Sequence, residues 1–170
     1  MSSGMPVTVD PVRLADTGAK IAGELPVKAM RRLRALCLDD EGKASVSLRF
    51  ERSGEQGLRQ MFGIVTVQLP VACQRCLERM TVTFTVEPSL IVLKPEERSG
   101  DLSDESDVLV ADKPLSLAEI VEDELLLAMP MIPMHDVDEC PARAYTESVE
   151  RREPEESPFS VLGKLKHKDP

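Results

Sequence analysis

The sequence predicts an α+β fold, mainly antiparallel β-sheet with flanking helices, and three observations carry that prediction. "SVSLRFE" and "MTVTFTV" alternate apolar and polar residues with the period of a half-buried strand. "SLAEIVEDELLLAMP" has the apolar spacing and the cap of one long helix. The order helix, helix, strands, helix lacks the βαβ alternation of a parallel sheet.

In chain order, a short "PVTV" strand precedes "DPVRLAD", where Asp10 is placed to cap a helix and Pro11 sits at a first position that needs no N–H. "LPVKAMRRLRALCL" carries Val27, Met30, Leu33 and Cys37 at spacings of three or four, which predicts an amphipathic helix with Lys28, Arg31, Arg32 and Arg34 over much of the remaining surface. On that face Cys37 reads as a small buried hydrophobe.

In "SVSLRFE", Val46, Leu48 and Phe50 point inward; a "SGEQG" turn leads into "LRQMFGIVTVQLPV", predicting an antiparallel pair. "MTVTFTV" follows with Val82, Phe84 and Val86 inward, and Pro88 breaks it before "SLIVL". From 95 to 112 the chain is acidic and apolar-poor apart from "VLV", the composition of a mobile solvated loop.

Ser116 and Glu119 then form an S-x-x-E box ahead of a stripe of Leu117, Ile120, Val121, Leu125 and Ala128. The acidic residues Glu119, Glu122, Asp123 and Glu124 crowd the positive end of that helix, and dipole and cap chemistry account for them as a solvated acidic face. Pro130 stops the helix. We expect one α+β domain over residues 1–145 and a flexible charged tail over 146–170, with Phe159, Leu162 and Leu165 forming a short anchoring helix.

A net charge of −9 repels nucleic acid, and four Phe, one Tyr and no Trp offer few rings for base stacking, so any RNA contact must be local. Residues 1–30 lack a charged segment followed by an apolar core, and no later apolar run suits a membrane span, so the expected setting is cytoplasmic. Four cysteines in such a chain do not suggest a disulfide framework.

"VACQRCLERM" places Cys73 and Cys76 at the tip of a predicted hairpin. Thiolates and imidazole suit Zn²⁺, and "HDVDEC" offers His135 and Cys140 to complete a Cys₃His set, which with four protein ligands would be structural. Reduced, packed thiols are the competing reading. A redox couple fits less well, because a thioredoxin-like C-x-x-C opens a helix and this one joins strands. The chain has no phosphate loop, no dinucleotide fingerprint, no nucleophile elbow and no H-E-x-x-H, and its other histidine, His167, lies in the tail. These absences argue against an enzyme, as does the way Glu122, Asp123 and Glu124 splay around a helix instead of converging.

"PVTVDPVRLA", "VACQRCLERM", "IVEDELLLAMPMIPMHDVDEC" and "SPFSVLGKLK", in this order, resemble the bacterial YceD family of large ribosomal RNA subunit accumulation proteins, from about residue 6 to residue 168. The resemblance implies a role in the synthesis, processing or stability of 23S rRNA, with 23S rRNA or a large-subunit precursor, ribosomal proteins or assembly factors as partners, and no membrane or small-molecule substrate. It also implies that cysteine stands in some members where His135 stands here, a replacement that metal ligands tolerate. Under this reading Lys28, Arg31, Arg32 and Arg34, with Lys164, Lys166 and Lys168, are candidate RNA contacts. The same cations also suit a merely solvated face. The alternative is an adaptor whose acidic surface binds a basic ribosomal protein or another assembly factor without touching RNA.

Overall fold

The computed structural model describes residues 5–54, 57–97 and 107–144. It is α+β, and all but one of its strand pairings are antiparallel. β1 (Thr8–Val9) leads into α1 (Pro11–Thr17), where the Asp10 carboxylate accepts the Arg13 N–H at 3.0 Å and Gly18 closes the helix at φ 64°.

β2 (Lys20–Pro26) pairs with β3 (Lys43–Ser53), and β3 pairs along its whole length with β4 (Leu58–Ala72). The other side of β4 is shared. β5 (Arg79–Val86) takes Val65–Ala72 and β6 (Ser89–Leu93) takes Gln60–Phe62. β5 and β6 are thus one line broken at Pro88, whose carbonyl accepts the Gly63 N–H at 3.2 Å. Gly63 is required there: a Cβ would lie 2.1 Å from the Ser47 carbonyl oxygen of the facing strand.

β7 (Val108–Val110) adds to β6 in parallel, and β8 (Leu115–Ser116) pairs with β1. α3 (Leu117–Ala128) begins where the Ser116 hydroxyl accepts the Glu119 N–H at 3.3 Å. The core lies between sheet and helices: Val46, Leu48 and Phe50 of β3, Met61, Val65 and Leu69 of β4, and Leu117, Val121 and Leu125 of α3 are buried.

The predicted helix over "LPVKAMRRLRALCL" is corrected. Leu25 and Pro26 are bonded into β2, opposite Ala44 and Lys43; Val27–Ala29 is a 3₁₀ turn and Met30 is extended. Only α2 (Arg31–Arg34) is α-helical. Val27, Met30 and Leu33 are nevertheless fully buried, Val27 from the 3₁₀ turn, Met30 from extended backbone and Leu33 from α2. Cys37 is half-buried and its thiol donates to the Leu33 carbonyl at 3.3 Å.

Both ends of the stretch expected as an acidic loop, 95–112, make defined contacts, and the expectation for 98–106 lies outside the described residues. Val108–Val110 is strand, and Glu97 binds Arg59 at 2.9 Å. Ala128, expected on the buried stripe of α3, is exposed. Glu122, expected on its solvated face, is 3 % exposed. The predicted tail helix, with Phe159, Leu162 and Leu165, lies outside the described residues.

Candidate metal centre

Cys73 follows directly on β4, and the turn between β4 and β5 carries Cys76. The Cys73 N–H donates to the Glu78 carbonyl at 2.9 Å and the Leu77 N–H to the Cys73 carbonyl at 2.8 Å, so the two cysteines share one tight loop. Closing that loop puts Leu77 at φ 64°, the left-handed region that glycine adopts more cheaply.

The segment after α3 crosses this tip. Gln74 N–H donates to the Pro133 carbonyl at 2.8 Å, and two residues later the His135 N–H points at the Cys73 sulfur at 3.4 Å. The Arg75 N–H is at 3.4 Å from the same sulfur. His135 Nδ1 and Cys76 Sγ are 3.4 Å apart, and Cys140 is buried beside them. Every ligand atom of Cys73, Cys76, His135 and Cys140 lies within 4.8 Å of the others.

Those separations suit one ion. A tetrahedral zinc with Zn–S bonds of about 2.3 Å holds its sulfurs about 3.8 Å apart, so the four groups need little movement to close on it. All the cysteines are free thiols. Around Cys73, burial pushes the thiol up, but the N–H groups of Cys76, His135 and Arg75 outweigh it and bring the pKa down to about 6. Cys76 is displaced the other way, first by burial and then by the neighbouring Cys73 and Cys140 sulfurs, which disfavour a second negative charge. A divalent cation would relieve that repulsion, since it stabilises several thiolates at once.

Residue type and spacing single out the four residues of the cluster in the sequence, but not what brings them together. The Gln74–Pro133 bond and the N–H groups aimed at Cys73 are backbone features with no residue signature.

The basic candidates divide. Arg32 forks onto Glu122 at 3.0 Å and also binds Asp123; Arg34 lies 3.9 Å from Asp40. Lys28 and Arg31 are exposed with no ion-pair partner among the described residues. Lys164, Lys166 and Lys168 lie outside those residues.

Fold and site together define a small α+β protein with a Cys₃His cluster of metal-ligand type at a hairpin tip. The chain belongs to the YceD family, described as large ribosomal RNA subunit accumulation protein YceD, whose profile matches residues 61–166. It is 31% identical over 171 residues to the large ribosomal RNA subunit accumulation protein YceD of Haemophilus influenzae, an alignment covering 96% of this chain and 97% of that protein. No solved structure matches it significantly. No helix among the described residues is long and apolar enough to cross a membrane.

Proposed function

We propose that this protein is a non-enzymatic, cytoplasmic factor in large-subunit biogenesis, needed for the synthesis, processing or stability of 23S rRNA, and that a structural Zn²⁺ held by Cys73, Cys76, His135 and Cys140 fixes its docking surface. The family's name supports the ribosomal part. The observation that carries the structural part is the convergence of three thiol sulfurs and one imidazole nitrogen from two distant segments within 4.8 Å. When bound, the ion supplies cross-linking and charge neutralisation. The chain supplies the N–H groups that hold Cys73 in its charged form and the Gln74–Pro133 bond that sets the approach of the second segment. Lys28, Arg31 and Arg34, with the tail lysines, are the residues we assign to RNA phosphates.

Depletion should lower 23S rRNA and large subunits relative to small-subunit RNA. The wild-type chain should restore them, and a Cys73→Ser/Cys140→Ser variant should not. An unchanged ratio on depletion overturns the ribosomal role; full rescue by the double variant overturns the role of the metal.

A second reading is favoured by the charge of −9 and by Asp136, Asp138 and Glu139 beside the cluster: an adaptor for a basic protein. Association with large-subunit precursors that survives nuclease digestion selects the adaptor; association lost on digestion selects RNA contact.

A further inference from the structure

β5 is an eight-residue strand bonded on one side only. Its neighbour in line, β6, is covered by β7, but among the described residues no backbone group bonds to the outer edge of β5. Such an edge presents a row of N–H and C=O groups with the spacing of a strand ladder, and folds that leave one open to solvent usually blunt it. Here it is not blunted: between Arg79 and Glu87 there is no proline and no charged residue.

A groove of ≈ 730 Å³ runs beside this edge. Met80, Thr81 and Val82 form one wall, and since they come from both faces of the strand, the groove follows its backbone edge. The facing wall is the segment that carries His135, with Ile132, Met134 and Val137 in the lining. Its apolar residues face solvent: Met131 is 97 % exposed and Ile132 63 %. Pro130 and Pro133 remove two donors from that segment, so it cannot itself serve as the missing strand.

The lining charges are Asp136 and Glu139 against Arg75, and the one ring in the lining is the His135 imidazole, which the proposed zinc clamp would engage. A nucleic-acid strand would meet net negative charge and no Phe, Tyr or Trp to stack on. An extended peptide would meet a ladder edge, an apolar strip and two carboxylates.

We infer that the outer edge of β5 takes an extended segment of a partner protein as an added strand, apolar at alternate residues and basic at the others. This rests on the clamp proposed above, because His135 and Cys140 fix the far wall. It goes beyond that reading in naming the edge and the chemistry of its occupant.

The test uses the full chain, with zinc content measured first, titrated with a capped ten-residue peptide of alternating Val and Lys. Binding should slow amide hydrogen exchange at Met80–Phe84. It should weaken at least tenfold for the Val–Glu counterpart and about tenfold in an Ile132→Ser variant that keeps its zinc. N-methylation of the peptide at alternate residues should abolish binding in one frame and spare it in the other. Insensitivity to N-methylation in both frames, or unchanged exchange in β5, overturns the inference. Sedimentation showing two copies joined through this edge, or displacement of the peptide by a uridine oligonucleotide, also overturns it. A zinc-loaded chain that ignores the peptide refutes the strand site and leaves the clamp standing; a chain without zinc refutes the clamp, and the peptide result is then read on its own.

Discussion

The carboxylate of Glu122, on α3, caps α2 from across the molecule: one oxygen accepts the backbone N–H groups of Arg32 at 2.5 Å and Leu33 at 3.0 Å, while the other binds the Arg32 guanidinium at 3.0 and 3.1 Å. Met30, at the N-cap position of α2, offers no side-chain acceptor. The buried acid therefore supplies what the local sequence lacks. Glu122→Gln should lower the unfolding free energy by about 2–4 kcal/mol, since it leaves buried donors poorly matched. Asp123→Asn, at the exposed end of the same fork, should cost less than about 1 kcal/mol. Urea denaturation of both variants checks the contrast, and equal losses would refute it.

The proposed zinc clamp predicts an asymmetric ligand series. The wild type should contain one equivalent of zinc, and Cys76→Ser or His135→Ala should lose it with about 3–4 kcal/mol of stability at ordinary zinc concentrations. His135→Cys should keep the ion, because thiolate and imidazole are both good zinc ligands. Elemental analysis beside thermal melts decides this; zinc absent from the wild type would end the reading.

Leu77 stands in a left-handed conformation with its side chain in solvent. Leu77→Gly relieves a strain of about 1–2 kcal/mol and costs roughly 0.4–1 kcal/mol in chain entropy. The expected result is a protein unchanged or stabilised by about 1 kcal/mol, with its zinc retained. By contrast, Gly63→Ala should cost about 1–3 kcal/mol, because its Cβ would meet the Ser47 backbone.

Acid should destabilise the protein through identifiable carboxylates. Burial raises Asp16, but Arg59 and Arg52 outweigh it and draw it below the usual carboxylate range. The Glu41 N–H and Arg79 do the same for Asp39, and the Lys94 N–H and Arg59 for Glu97. A carboxyl lowered in the folded state stabilises fully above its unfolded value, about 4, and loses that contribution as pH falls through its folded value. Urea midpoints should therefore fall increasingly steeply below about pH 4. Arg59→Met, which removes a partner of both Asp16 and Glu97, should flatten that fall, and comparison with the wild type cancels any acid loss of zinc. Parallel curves would refute the assignment.

What could be read from the sequence was whatever a residue dictates to its own neighbours. Alternation placed β3 and β5, the turn after β3 placed β4 against it, and Asp10 and Ser116 marked two helix starts correctly. β2 escaped because Gly23 and the weakly patterned "KIAGELP" give no period; only its pairing with Ser45–Arg49 and neighbouring β3 residues makes it a strand. The basic segment misled because its buried spacing of three is met by a 3₁₀ turn, an extended residue and one helical turn in succession, not by one α-helix. Glu122 was hidden by a sufficient local explanation, the helix dipole, which says nothing about a partner ninety residues away. Cys73, Cys76, His135 and Cys140 stood out by their side-chain chemistry, and their meeting is a tertiary fact.

Because that meeting joins a β-hairpin tip to a segment beyond α3, the centre cannot assemble in the order in which the chain is made. While the ribosome is still extending the polypeptide through α3, Cys73 and Cys76 are two sulfurs without counterparts, and only after Cys140 emerges is the ligand set whole. Ion capture by the proposed clamp would therefore come late, as a mark of a finished chain: a nascent or prematurely terminated copy would retain the sheet's first strands and lack the groove wall beside β5.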